Sequence, residues 1–147
     1  MSLENEIFEH LKNAKTMQLA TVNDSKPWIC TVYFVPHEGK LYWLSLPSRR
    51  HSQELANDNH AAIAIAIKTD KPVIGVQTEG MVEVVSGKDI VQVVCDLYAN
   101  KYDQAHDFYE NFAAGTNQHN LYCFTPKTWV LFDEHNHPDT PRQEVKV

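Results

Sequence analysis

Cysteine is scarce in this chain, with only Cys30, Cys95 and Cys123, widely spaced and forming no CxxC. That excludes a disulfide framework and a thiolate zinc site, and leaves three reduced, small hydrophobic residues. Positive charge is also short: 13 Lys and Arg against 19 Asp and Glu give a net charge of −6. Non-specific nucleic-acid binding rests on cationic surface facing phosphates, so no nucleic-acid partner is expected. Long apolar runs are missing too. The longest, Ala61 to Ile67, is too short to cross a bilayer, and the opening MSLENEIFEH has no basic region followed by an apolar stretch. The expectation is a soluble, cytoplasmic protein with no membrane partner. GxSxG, HExxH, Walker and GxGxxG patterns are all lacking, which removes the usual supports of nucleophilic hydrolysis, zincin chemistry and nucleotide cleavage.

What is present reads as a β-rich chain of 147 residues, enough for one domain. Leu3, Ile7, Leu11 and Ala14 recur at helical spacing. From Met17 the period changes. MQLATV, WICTVYFV and KLYWLSL are rich in β-branched and aromatic residues and are separated by turn signals, predicting an antiparallel meander. AAIAIAI, with no polar face, predicts a strand covered on both sides. PVIGVQTEGMVEVV is a long strand in which Gly75 and Gly80 mark bulges or bends. Ser86 and Asp89 suggest a capped helix, Gln104 to Ala114 another helical piece, and LYCF and TWVLFDE the last strands. Six or seven short strands with few helices imply a mainly β, antiparallel barrel with peripheral helices, closed to remove exposed edges. The domain is placed at residues 1–134, with 135–147 a polar, mobile tail.

Function is sought in Leu41 to Asn59, where a strand stops at Pro47 and Ser48 can cap a helix that opens with Arg49 and Arg50. Cations in a first helical turn oppose the helix dipole unless an anion receives them, so the conflict marks a candidate phosphate site. His135 and His137 form an HxH, a possible metal pair, but their polar, Pro-bounded context assigns them to the tail, and no metal is expected. His51, His60 and His119 are read as solvated loop residues, and Asp103, His106 and Asp107 as a solvent-facing helix face. Trp28, Tyr33, Trp43 and Trp129 fall on predicted strands, suiting core packing, a dimer interface or the walls of a planar cofactor.

With these segments in order (MQLATV, KPWICTVYFV, GKLYWLSLPSRR, AAIAIAI, GVQTEGMVEVV and TPKTWVLFD), the chain resembles the pyridoxamine 5'-phosphate oxidase-like family of FMN-binding split barrels. The resemblance runs from about Ile7 to Glu134 and is nearest to the small general-stress-type and uncharacterised members. It implies a homodimer with FMN held between subunits. The family's Ser-Arg-Lys phosphate motif reads Ser48, Arg49, Arg50 here, keeping the charge. The resemblance further implies that Cys30, Thr31 and Val32 meet the flavin edge, that Ser45 stands near the phosphate and Gln77 near the flavin, and that Trp129 is offered by the neighbouring subunit. Where vitamin B6 oxidases carry an Arg and a Lys, this chain has Cys30 and Val35, and their Arg-Leu-x-Pro segment is WVLFDEHNH here. These departures count against pyridoxamine 5'-phosphate oxidation. Three readings stay open: an FMN-dependent oxidoreductase acting with a small-molecule substrate or electron donor, a module that carries FMN, haem or a related tetrapyrrole without turnover, and a purely structural dimer. The resemblance also includes relatives that bind haem or a deazaflavin. No catalytic acid or base is singled out.

Overall fold

The computed structural model describes residues 1–147. Helix α1 (Leu3–Leu11) opens on Ser2, whose side chain accepts the Asn5 N–H, and it buries Ile7 and Leu11 completely, as its spacing predicts. Strands β1 (Thr16–Asn23), β2 (Lys26–Tyr33), β3 (Val35–His37) and β4 (Lys40–Ser45) follow. Then come α2 (Arg50–Asn57), β5 (His60–Lys68), β6 (Ile74–Val84), α3 (Lys88–Lys101), α4 (Phe108–Ala113), β7 (Asn120–Asp133) and β8 (Arg142–Lys146). No helix is long and apolar enough to cross a membrane.

The strands form one antiparallel sheet in the order β2-β1-β5-β6-β7-β4-β3, with β8 added beside β7. The expected meander is therefore corrected. β1–β2 and β3–β4 are hairpins, but they lie at opposite ends of the sheet, and β4 pairs with β7 through Leu41–Phe124 to Ser45–Asn120. The fold is mainly β, and the sheet curls into a half-barrel. β2 and β4 approach without pairing, so the barrel is split there rather than closed. Inside the curl lies a core that includes Leu19, Phe34, Leu41, Trp43, Ile63, Ile65, Phe124 and Trp129.

Gly80 shows how the long strands bend. The β6–β7 register shifts between Glu79 and Gly80, and a Cβ on Gly80 would stand 2.1 Å from the Thr125 carbonyl oxygen. Only a residue without a side chain lets the strands come this close.

Three local expectations are corrected. Ser48 does not cap α2: Arg49 occupies the cap position, without a side-chain hydrogen bond, and α3 likewise starts after Gly87 with no side-chain cap. β5 is covered on one face only, since Ile63 and Ile65 point into the core while Ala62, Ala64 and Ala66 are exposed on the outer face of the sheet. The segment after Glu134 is not a mobile tail. β8 pairs with β7 from Thr128–Lys146 to Phe132–Arg142, and the turn before it is fixed by Asp133, whose carboxylate accepts the N–H groups of His135 and Asn136. A polar composition hid this strand: of its two half-buried positions, Gln143 and Val145, only Val145 is apolar and packs against the core, too little for a hydrophobic alternation to show.

Candidate functional site

The seam between β2 and β4 is a cleft of about 410 Å³. Thr31, Val32 and Tyr33 form one wall, Leu44, Ser45 and Leu46 the other, and Arg49 with His51 reaches in from the start of α2. Thr16 of β1, Tyr98 of α3 and His119, just before β7, complete the lining. Four residues that the resemblance assigned to the cofactor thus come together, Thr31, Val32, Ser45 and Arg49, with Tyr33, one of the strand aromatics, beside them.

The two adjacent arginines have different fates. Arg50 Nε donates to Glu54 Oε2 at 2.8 Å, and its guanidinium lies 3.9 Å from the centroid of the Trp28 ring. Glu54 in turn accepts from Thr21 Oγ1 at 2.7 Å, and these two hydrogen bonds, Thr21 first, hold its carboxyl below the usual range. Arg50 is therefore spent on tying α2 to the β1–β2 hairpin. Arg49 forms no ion pair and lines the cleft. The first backbone N–H of α2 with a chain acceptor is that of Gln53, which donates to the Arg49 carbonyl, so the N–H groups of Arg50, His51 and Ser52 remain without backbone or capping partners. A cation, the positive end of a helix dipole and unpaired N–H donors at one place form an anion receptor.

Ser45 Oγ and His51 Nε2 are 2.7 Å apart, and both residues are buried. Burial, and after it the Arg49 charge, lowers the His51 pKa, so the ring is neutral at pH 7 and can exchange a hydrogen bond with Ser45 in either sense. The reading of His51 and His119 as solvated loop residues is corrected: both line the cleft, and His119 Nδ1 is buried with no partner. Their sequence signal was weak. The one available clue was position, His51 in the turn after the arginines and His119 just before a strand.

Other expected residues stand elsewhere. Ser48 is exposed and outside the cleft lining, and Cys30 packs against the core, where burial pushes its thiol pKa up. Gln77 sits on the outer sheet face opposite Ala64. Trp129 is not offered to a neighbour. Its ring is fully buried in its own chain, edge-on to Phe8 with centroids 5.4 Å apart, because the alternation of β7 turns it inward.

A family model described as pyridoxamine 5'-phosphate oxidase matches residues 3–132. The chain belongs to this family. Solved structures resembling this pyridoxamine 5'-phosphate oxidase family member include a conserved hypothetical protein, Rv2991, from Mycobacterium tuberculosis, with 16% identity and a TM-score of 0.79 over 92% of this chain and 87% of that one. A putative pyridoxamine 5'-phosphate oxidase from Listeria innocua has 15% identity and a TM-score of 0.71, covering 88% and 98%. HutZ, described as a heme storage protein from Vibrio cholerae, has 19% identity and a TM-score of 0.67, covering 86% and 91%. At these identities the likeness is one of fold. A search of curated proteins finds no match to this sequence.

Proposed function

We propose that the chain is a homodimeric flavoprotein that binds FMN in the β2–β4 seam and passes hydride or electrons to a small acceptor. The observation that carries this reading is Arg49, a cation without a carboxylate partner, beside the unpaired N–H groups of α2 in a cleft that also holds Ser45, Thr31 and Val32. A phosphate needs this convergence of charge and donors. The cleft volume falls within the roughly 300–1,000 Å³ of small-molecule sites, and Val32, Leu44, Leu46, Tyr33 and Tyr98 supply an apolar, partly aromatic lining for a planar ring. Bound FMN supplies the hydride and electron transfer, while the chain binds, orients and shields it. Arg49 is the only Lys or Arg in the lining, so the cleft neutralises one phosphate. That supports a substrate other than a second phosphorylated ligand such as pyridoxamine 5'-phosphate.

The dimer is supported by the outer sheet face. Ala62, Ala64 and Ala66 are exposed there, Ile29 is 59% exposed, and β1 and β6 flank them with Ala20, Gln18 and Gln77. A patch of mostly small and branched residues, with Glu79 opposite Ala62 as its charged member, suits a self-complementary contact with a second copy. Sedimentation of the wild type as a dimer and of Ala64→Arg as a monomer is the expected result, and a monomeric wild type contradicts it.

The deciding experiment is titration of the apoprotein with FMN and riboflavin, followed by flavin fluorescence. FMN is expected to bind roughly ten- to a hundredfold more tightly, the worth of about 1.5–3 kcal/mol of charge-assisted hydrogen bonding, and Arg49→Ala should abolish the difference. Equal affinities for the two flavins in the wild type would remove the phosphate assignment. The second reading is haem binding without turnover. It is favoured by His51 and His119 in the same cleft, and by likeness to a fold described in one case as a heme storage protein. It predicts a Soret band with added haemin that His119→Ala shifts or removes, and no saturable flavin binding.

A further inference from the structure

At the end of β7 remote from the cleft, α1 and the turn before β8 meet. We propose that Glu6, Asp133 and His137 form a binding site for one divalent transition-metal cation of the zinc type. A ligand atom from each lies within 4.8 Å of the other two, a spacing that one ion can bridge. His10, one helical turn after Glu6, adds a second imidazole: its Nε2 is 3.8 Å from Asp133 Oδ2. Two imidazoles and two carboxylates make a nitrogen–oxygen set, which suits zinc and its neighbours better than magnesium or calcium.

The second shell is already built. Asp133 is fully buried, and its carboxylate is held by the N–H groups of His135 and Asn136 at 3.0 and 2.8 Å and by the Asn136 side-chain amide at 2.7 Å. These contacts fix the carboxylate's direction: two of them occupy both lone pairs of Oδ1, and Oδ2, which accepts only the Asn136 amide, keeps one lone pair for an ion. The backbone of the same turn closes with the His137 N–H donating to the Asp133 carbonyl, which sets the imidazole beside the carboxylate. His137 Nε2 now stands 2.6 Å from Glu6 Oε1, and both side chains keep partial access to solvent, 30% and 24%. An ion can therefore enter from the surface. Zinc bonds of about 2.0–2.2 Å place neighbouring ligand atoms roughly 3.4 Å apart in a tetrahedron, so Glu6 and His137 must part slightly, with His10 or water taking the fourth position. Two carboxylates and two neutral imidazoles carry a charge of −2, which one divalent ion neutralises. Bound metal would join the first helix to the last hairpin, two segments far apart in sequence.

The test uses the full, untagged chain after chelator treatment and dialysis, titrated with zinc chloride by calorimetry, with magnesium chloride as the control. Expected are one zinc equivalent per chain, with a dissociation constant on the order of micromolar or tighter, a higher Tm, and no response to magnesium. Glu6→Gln and His137→Gln should each weaken zinc at least tenfold, while His60→Gln leaves it unchanged. Cobalt(II) provides a readout that needs no variant: it should broaden the ring proton signals of His10 and His137 but not those of His60. Absence of saturable binding at one equivalent, unaltered binding in both glutamine variants, or broadening confined to other histidines would show that Glu6 and His137 are only an ion pair, and would overturn the proposal.

Discussion

The Arg50 guanidinium lies 3.9 Å from the centre of the Trp28 ring while its Nε donates to Glu54, so the second of two adjacent arginines is engaged before any ligand arrives. Arg50→Ala should lower Tm by roughly 2–4 °C, the shift that about 1 kcal/mol of lost cation–π attraction causes in a domain of this size. Adding Glu54→Gln should recover part of the loss by removing the unpaired carboxylate. FMN affinity should fall far less than in Arg49→Ala. Thermal melts and flavin titrations of the same three variants check both statements.

Trp129→Ala should cost about 3–5 kcal/mol of folding stability, because a fully buried ring in contact with Phe8 is replaced by a cavity. The loss should appear in urea unfolding without any flavin present. A variant of unchanged stability that loses only flavin affinity would contradict the core position of the ring.

Gly80→Ala should destabilise by at least 2–3 kcal/mol or prevent folding. The added methyl meets the backbone oxygen of Thr125 at 2.1 Å and the Pro126 Cα at 3.0 Å, and backbone cannot swing aside as a side-chain tip does. Gly75→Ala serves as the control, since its added Cβ finds its nearest atom at an ordinary 3.8 Å. Chemical denaturation of the pair should separate them clearly.

Lys101 supplies a pH dependence. Burial, and after it the nearby charge of Lys15, lowers its pKa from the ordinary 10.5 to about 8, although its ammonium donates to the Phe34 carbonyl at 3.0 Å and lies over the Phe34 ring. Between pH 8 and 10.5 the unfolded chain holds more protons at this site than the folded one, so stability should rise with pH across that window relative to Lys101→Met. The half-exposed position reduces the full linkage to about 1–2 kcal/mol. Denaturation of both proteins at pH 7.5 and 10 measures the difference.

The sequence by itself determined most of the elements, though not β8 or the exposed face of β5: apolar runs marked the other strands, helical spacing marked α1, and Gly80 marked a bulge. It also marked Arg49 and Arg50 as a candidate anion site, because a helix that opens with cations is a local conflict readable from neighbours alone, while Ser45 was named only through the family resemblance. Tertiary structure decided which elements meet. Alternation fixes the face a side chain takes but not the partner strand, so the placing of β2 and β4 on either side of a seam, and with it the meeting of Thr31, Ser45, His51 and His119, had no local signal. The same holds for the contrast between Arg49 and Arg50, which rests on where Trp28 and Glu54 stand. It holds again for His137, whose place beside Glu6 depends on β8 adding to the sheet through backbone hydrogen bonds that any sequence can make.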